Sequence, residues 1–119
     1  MTGIPKDFRN ISQAVGADAL LIQGAGGNSS IKIDANLMWV KASGKWLQHA
    51  GDDDVFVAVD QALINQNIAD NKTDPVEGAS LPVGPRGLRP SIETTLHSLM
   101  KHWVVFHTHW INTIVHAVQ

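Results

Sequence analysis

The chain contains no cysteine. That excludes disulfide staples and thiolate metal sites, so any metal must be held by histidine and carboxylate. It also suits a reducing cytoplasm, the compartment expected for this chain. Charge is scarce: charged residues make up 17% and the net charge is −2. Lysines and arginines are scattered singly, so no basic stripe marks a nucleic-acid partner. Long apolar runs are missing as well. Ala19–Ile22 is far too short to span a membrane. The opening Met1-Thr2-Gly3-Ile4-Pro5-Lys6-Asp7 lacks a basic stretch followed by an apolar one, so no signal peptide is expected. What remains is ordinary globular composition, 44% apolar over 119 residues, a length that suits one domain.

Periodicity divides the chain into elements. Phe8, Ile11 and Val15 are spaced as on an amphipathic helix over residues 6–16. Gly24-Ala25-Gly26-Gly27-Asn28-Ser29-Ser30 follows as a turn rich in residues that accept positive φ. Ile31–Asp34 alternates like a half-buried strand, and Asp34-Ala35-Asn36 supplies turn chemistry before a second strand, Leu37–Lys41. The two are predicted to form a hairpin. Ala42–Lys45 is another turn, Val55–Val59 a short apolar strand, and Asp60 an N-cap for a helix over Gln61–Asp70.

Residues 71–90 hold four of the five prolines and read as a long loop, a kind that tends to be functional. Ser91 caps a further helix with Glu93 in its first turn and Leu96, Leu99 and Met100 on its buried face. Trp103–His109 reads as a buried strand, and a helical pattern starts at Ile111. Mixed elements with a hairpin imply an α/β sandwich whose sheet is partly antiparallel.

Three features carry chemistry. On a strand, His107 and His109 lie at i and i+2 and face the same side, so both imidazoles can reach one ion. The alternative is one histidine packed under a loop and the other solvated, since two histidines are too few to define a zinc site. Glu93 is either a general acid/base or simply a first-turn carboxylate. The glycine-rich turn fails as a dinucleotide motif: its third glycine position is Ser29, and a strand rather than a helix follows. It and Ser43-Gly44 are either tight turns or an anion nest of free N–H groups with the Asn28 amide. His97, one helical turn after Glu93, is read as structural. His49, His102 and His116 each stand alone, and the four tryptophans, Trp39, Trp46, Trp103 and Trp110, are read as core or interface packing.

Taken in order, Gly27-Asn28-Ser29, Ser43-Gly44, Ser91-Ile92-Glu93 and His107-Thr108-His109 resemble the class II aldolase/adducin N-terminal family. The Gly-Ala-Gly-Gly-Asn-Ser turn, the Trp-Val-Lys-Ala-Ser-Gly-Lys-Trp-Leu segment and the Arg-Pro-Ser-Ile-Glu-Thr-Thr-Leu-His run look most like the aldolase half of rhamnose-utilisation bifunctional aldolase/dehydrogenase proteins. The resemblance implies a three-layer α/β/α sandwich with a mixed, largely antiparallel central sheet. The whole chain, 1–119, is expected to be one such domain, incomplete at its C-terminus.

The resemblance also implies a function: zinc-dependent cleavage or formation of a C–C bond in a phosphorylated ketose, through dihydroxyacetone-phosphate-type enediolate chemistry. Phosphate would be held by Gly27, Asn28, Ser43, Gly44 and Ser91, the proton moved by Glu93, and Zn2+ bound by His107 and His109. The third zinc ligand is not expected within the chain. A symmetric homo-oligomer, often a tetramer, is implied too, with no nucleic-acid or membrane partner. Ile92 and Trp110 depart from the family pattern. The competing readings are a non-catalytic adducin-like interaction domain and an isolated aldolase-fold binding module.

Overall fold

A computed structural model of the chain describes residues 3–18, 27–51, 54–83, 87–91 and 93–107. Helix α1 spans Lys6–Ala17 and follows Pro5, with Asp7 in its first turn, where a carboxylate suits the helix dipole. Strands β1 (Asn28–Lys32) and β2 (Leu37–Lys41) form the expected antiparallel hairpin, in the register Ser30 opposite Val40. Its turn is built by the Asp34 carboxylate, which accepts the N–H groups of Asn36 and Leu37 at 2.7 and 2.9 Å. A 3₁₀ turn at Leu47–His49 leads to β3 (Phe56–Asp60) and α2 (Gln61–Ala69). Asp60 caps α2 as its position suggested, its carboxylate accepting Leu63 N–H at 3.0 Å. Helix α3 covers Thr94–Leu99 and β4 covers Val104–His107.

The described strands form one antiparallel sheet in the order β3-β2-β1-β4. Strand alternation sends side chains to two cores. Leu37, Trp39, Phe56 and Ala58 join Phe8 of α1 and Leu47 on one side; Met38, Val40, Val57 and Val59 join Ile64 of α2 on the other. α1 seats so closely on the 3₁₀ turn that a Cβ at Gly16 would lie 2.3 Å from the Gln48 nitrogen.

Several expectations are corrected. β1 begins at Asn28 and ends at Lys32, so Asn28-Ser29-Ser30 belongs to the strand and not to the turn before it. On α1, Phe8, Ser12 and Gly16 are buried while Ile11 is 53% exposed. α3 is turned the other way round from its apolar pattern. Thr94, His97 and Ser98 point inward, and Leu96, Leu99 and Met100 are 50, 56 and 40% exposed. The reason is that the inner face offers polar partners: the Ser30 hydroxyl at 2.6 Å from His97 Nδ1, and Asn65 Oδ1 at 2.7 Å from the Ser98 hydroxyl.

Among the described strands β4 is one edge of the sheet, with Trp103 and Val104 exposed rather than buried, and Trp46 is exposed too. The loop from 71 onward is tied down where it is described. Ser80 bridges Val59 on the far side of β3, and Leu81 N–H donates to Ala58 C=O.

Candidate functional site

Sheet topology gathers the candidate residues at one end. β1 starts there with Asn28, which pairs with His107, the last residue of β4. The hairpin register brings the end of β2 to the same place. Just past β2, Ala42 bridges Pro90; Ser43 N–H donates to Arg89 C=O at 2.8 Å, and Ser91 N–H to Lys41 C=O at 3.3 Å. The Ser43-Gly44 turn and the Ser91 segment, far apart in sequence, are thus strapped side by side. Gly44 sits at φ +78°, a backbone angle that favours glycine.

Ser91 then forms its own turn. Its hydroxyl accepts Glu93 N–H at 3.1 Å, and its carbonyl accepts Thr94 N–H and Oγ1 at 3.0 and 2.6 Å. α3 therefore begins at Thr94, and Glu93 stands just ahead of the helix instead of in its first turn. The main chain of His107 is placed opposite Asn28, while His109 lies outside the described residues. Gly27 is buried immediately before β1.

This end holds a buried amide and a buried cation. Asn28 is 1% exposed, and its Oδ1 has no hydrogen-bond partner among the described residues. A buried amide left with an unmade bond is costly, so a bound group is the natural way to satisfy it. Amide oxygen and nitrogen are interchangeable in assignment, so the same position offers either an acceptor or, flipped, a donor to an anion. By strand alternation Asn28 shares the face of Ser30, the face against which α3 packs. Lys41, 2% exposed, donates its ammonium to the carbonyls of Ala42 and Lys45 at 3.2 and 2.7 Å. Burial pushes its pKa below the ordinary lysine value, and the nearby Glu93 carboxylate partly restores it.

Lys41 was not singled out from sequence. The available signal was a lone cation closing the apolar run Leu37–Val40, which β2 buries along its whole length. His97, read as structural, is fully buried against Ser30. Among the described residues, no three His, Cys, Asp or Glu side chains come together to hold a metal. No described helix is long and apolar enough to cross a membrane.

Comparison with known proteins agrees with this layout. The family model for the Class II Aldolase and Adducin N-terminal domain matches residues 9–119. No curated protein matches the chain in sequence. A solved structure, the N-terminal class II aldolase domain of a conserved protein from Thermoplasma acidophilum, superposes with a TM-score of 0.76 at 22% identity. The match covers all of this chain and 62% of that one. At that identity the likeness speaks for the fold.

Proposed function

The chain belongs to the class II aldolase and adducin N-terminal domain family, and from that premise we propose that it is an aldolase-type domain acting on a phosphorylated ketose. The observation that carries this reading is the convergence at one sheet end of Asn28, the Ser43-Gly44 turn, Ser91 and Glu93. The Gly44 N–H, the Ser43 and Ser91 hydroxyls, Gly27 and the buried Asn28 amide bind the phosphate. Glu93, poised at the mouth of α3, takes and returns the proton beside the substrate carbonyl.

The donor chemistry fits zinc: with no cysteine present, imidazoles are the ligands, and His107 ends β4 at this same end with His109 two residues on. Zinc held by His107 and His109 would supply Lewis-acid polarisation of the substrate oxygens. The three-layer α/β/α sandwich and a homo-oligomer, such as a tetramer, complete the proposal.

The test is proton exchange at the hydroxymethyl carbon of dihydroxyacetone phosphate, with zinc affinity followed by calorimetry. Glu93→Gln should slow exchange roughly 10²–10⁴-fold, the usual value of a general base, and leave zinc affinity within a factor of about three. Exchange by Glu93→Gln at the wild-type rate would overturn the assigned role. Absence of both zinc binding and exchange in the wild type would favour the binding module.

A further inference from the structure

The end of the sheet opposite Asn28 carries a second concavity. Lys32 closes β1 there, its N–H bound to Trp103 C=O at 2.7 Å just ahead of β4. The hairpin turn and the start of α2 lie at the same end, since Leu37 pairs with Asp60 and Gln61 follows. Lys32 alternates with Ser30 and so leaves the sheet on the face that α3 covers. Between the start of α2 and the end of α3 opens a cleft of about 370 Å³, with Lys32 in its wall. That is the size of a small-ligand pocket, and the proposed aldol chemistry makes no use of it.

The wall joins a desolvated cation to apolar surface. Lys32 is 7% exposed, and its ammonium donates to Met100 C=O. One of its three N–H bonds is thereby made, and no carboxylate pairs with it among the described residues. Burial lowers its pKa, with no charged partner to restore it. A buried ammonium with unmade bonds is costly, and an anion in the cleft would meet them. Gln61 stands in a similar condition. Its Oε1 is buried without a partner among the described residues, and its Nε2 reaches Ser98 C=O at only 3.4 Å. So long a bond holds the amide weakly and lets it turn toward a bound group.

Charge and shape narrow the class of ligand. Two lysines, Lys32 and Lys101, and one acid, Asp34, line the cleft, which makes it net positive. Asp34 is engaged in the hairpin turn, where its Oδ1 accepts the Asn36 and Leu37 N–H groups. The apolar lining is chiefly Leu99, Met100 and Trp103, all left exposed. A single buried ammonium is a point charge and suits a carboxylate; a phosphate calls for several converging donors. We propose that this cleft binds a small monocarboxylate with an apolar body. The carboxylate sits on the Lys32 ammonium, and the body lies against Trp103, Leu99 and Met100. The site is separate from the Asn28–Glu93 end and does not depend on the phosphate reading there.

Two-dimensional NMR of the full chain tests this with phenylacetate as the probe. Phenethyl alcohol supplies the same body without the charge, and inorganic phosphate supplies charge without the body. Phenylacetate should move the Gln61 side-chain amide, the Trp103 indole N–H and the Leu99–Lys101 backbone amides, with a Kd on the order of a millimolar. The Ser43 and Gly44 amides should stay in place. Phenethyl alcohol and phosphate should act on the cleft resonances at least roughly tenfold more weakly. Lys32→Met should weaken phenylacetate binding roughly ten- to hundredfold, the worth of a charged hydrogen bond, and Lys32→Arg much less. Trp103→Ala, a change at an exposed position, should weaken it about three- to tenfold by removing apolar wall.

Unmoved cleft resonances at phenylacetate concentrations well above a millimolar would overturn the proposal. So would equal affinity for phenethyl alcohol, or undiminished binding by Lys32→Met. Should Lys32→Met fail to fold, Trp103→Ala decides, and unweakened binding by that variant overturns the site. Cleft resonances that shift on dilution of the protein alone and ignore phenylacetate would make the cleft a contact between copies of the chain, which overturns it as well.

Discussion

Two regions of the molecule obey opposite packing rules. Around β2, β3 and α2, apolar side chains turn inward: Met38, Val40, Val57, Val59 and Ile64 are all no more than 2% exposed. Around α3 and β4 the order is reversed, with Thr94, His97 and Ser98 inside and Leu96, Leu99, Met100, Trp103 and Val104 outside. Hydrophobic burial stabilises the first region without regard to direction. The second is located by directional bonds, and each works only if its partner sits within hydrogen-bonding distance. Apolar periodicity is a guide to orientation only where the opposing surface is itself apolar.

The sharpest way to break this contrast is a matched pair of truncations. Met38→Ala should destabilise the fold by about 2–5 kcal/mol, the range for emptying a well-packed core site. Leu99→Ala should stay within about 0.5 kcal/mol, as exposed positions do. Urea unfolding of both variants checks the pair; equal losses would mean that α3 packs its apolar face after all. Next in size is Ser30→Ala, which removes the hydroxyl paired with His97 Nδ1. It should cost about 1–3 kcal/mol by stranding a buried polar group, measured by the same unfolding curves.

The smallest effect concerns Lys32, buried beside α3 with its ammonium donated to Met100 C=O. Desolvation lowers its pKa from the ordinary 10.5. The unfolded chain then holds this proton more tightly than the folded one, so stability gains as pH rises from the lowered value to 10.5 and the penalty is fully present below that window. Relative to Lys32→Met, wild-type stability should therefore improve on moving from neutral pH towards 10.5, a trend read from thermal melts at a series of pH values.

Local chemistry was the readable part. Asp34 and Asp60 act within three residues of themselves, so the hairpin turn and the α2 cap were visible as short strings. The site motifs were visible as types. Their assembly was not, because the strap between Ser43 and Arg89 joins residues far apart along the chain. α3 was misread for the same reason. What turns His97 inward is Ser30, 67 positions earlier, and no window of neighbouring residues contains that fact. The start of β1 was misplaced because Asn28, Ser29 and Ser30 have turn-like side chains, whereas the burial of Ser29 and Ser30 is sustained by partners on two other elements.

Those two partners give β1 a property of its own. Ser29 reaches Ser12 of α1 at 2.9 Å on one side, and Ser30 reaches His97 of α3 on the other. Consecutive hydroxyls thus form a two-pin plug, each pin matched to a different socket. Sliding the strand by one position would invert the pins, face Ile31 toward a polar socket and carry Asn28 away from its place opposite His107. An all-apolar strand could slip and still be greasy on both sides. This one would misfit everywhere at once, so the hydroxyls act as a registration mark that disfavours a misaligned sheet and, with it, a misassembled site at its end.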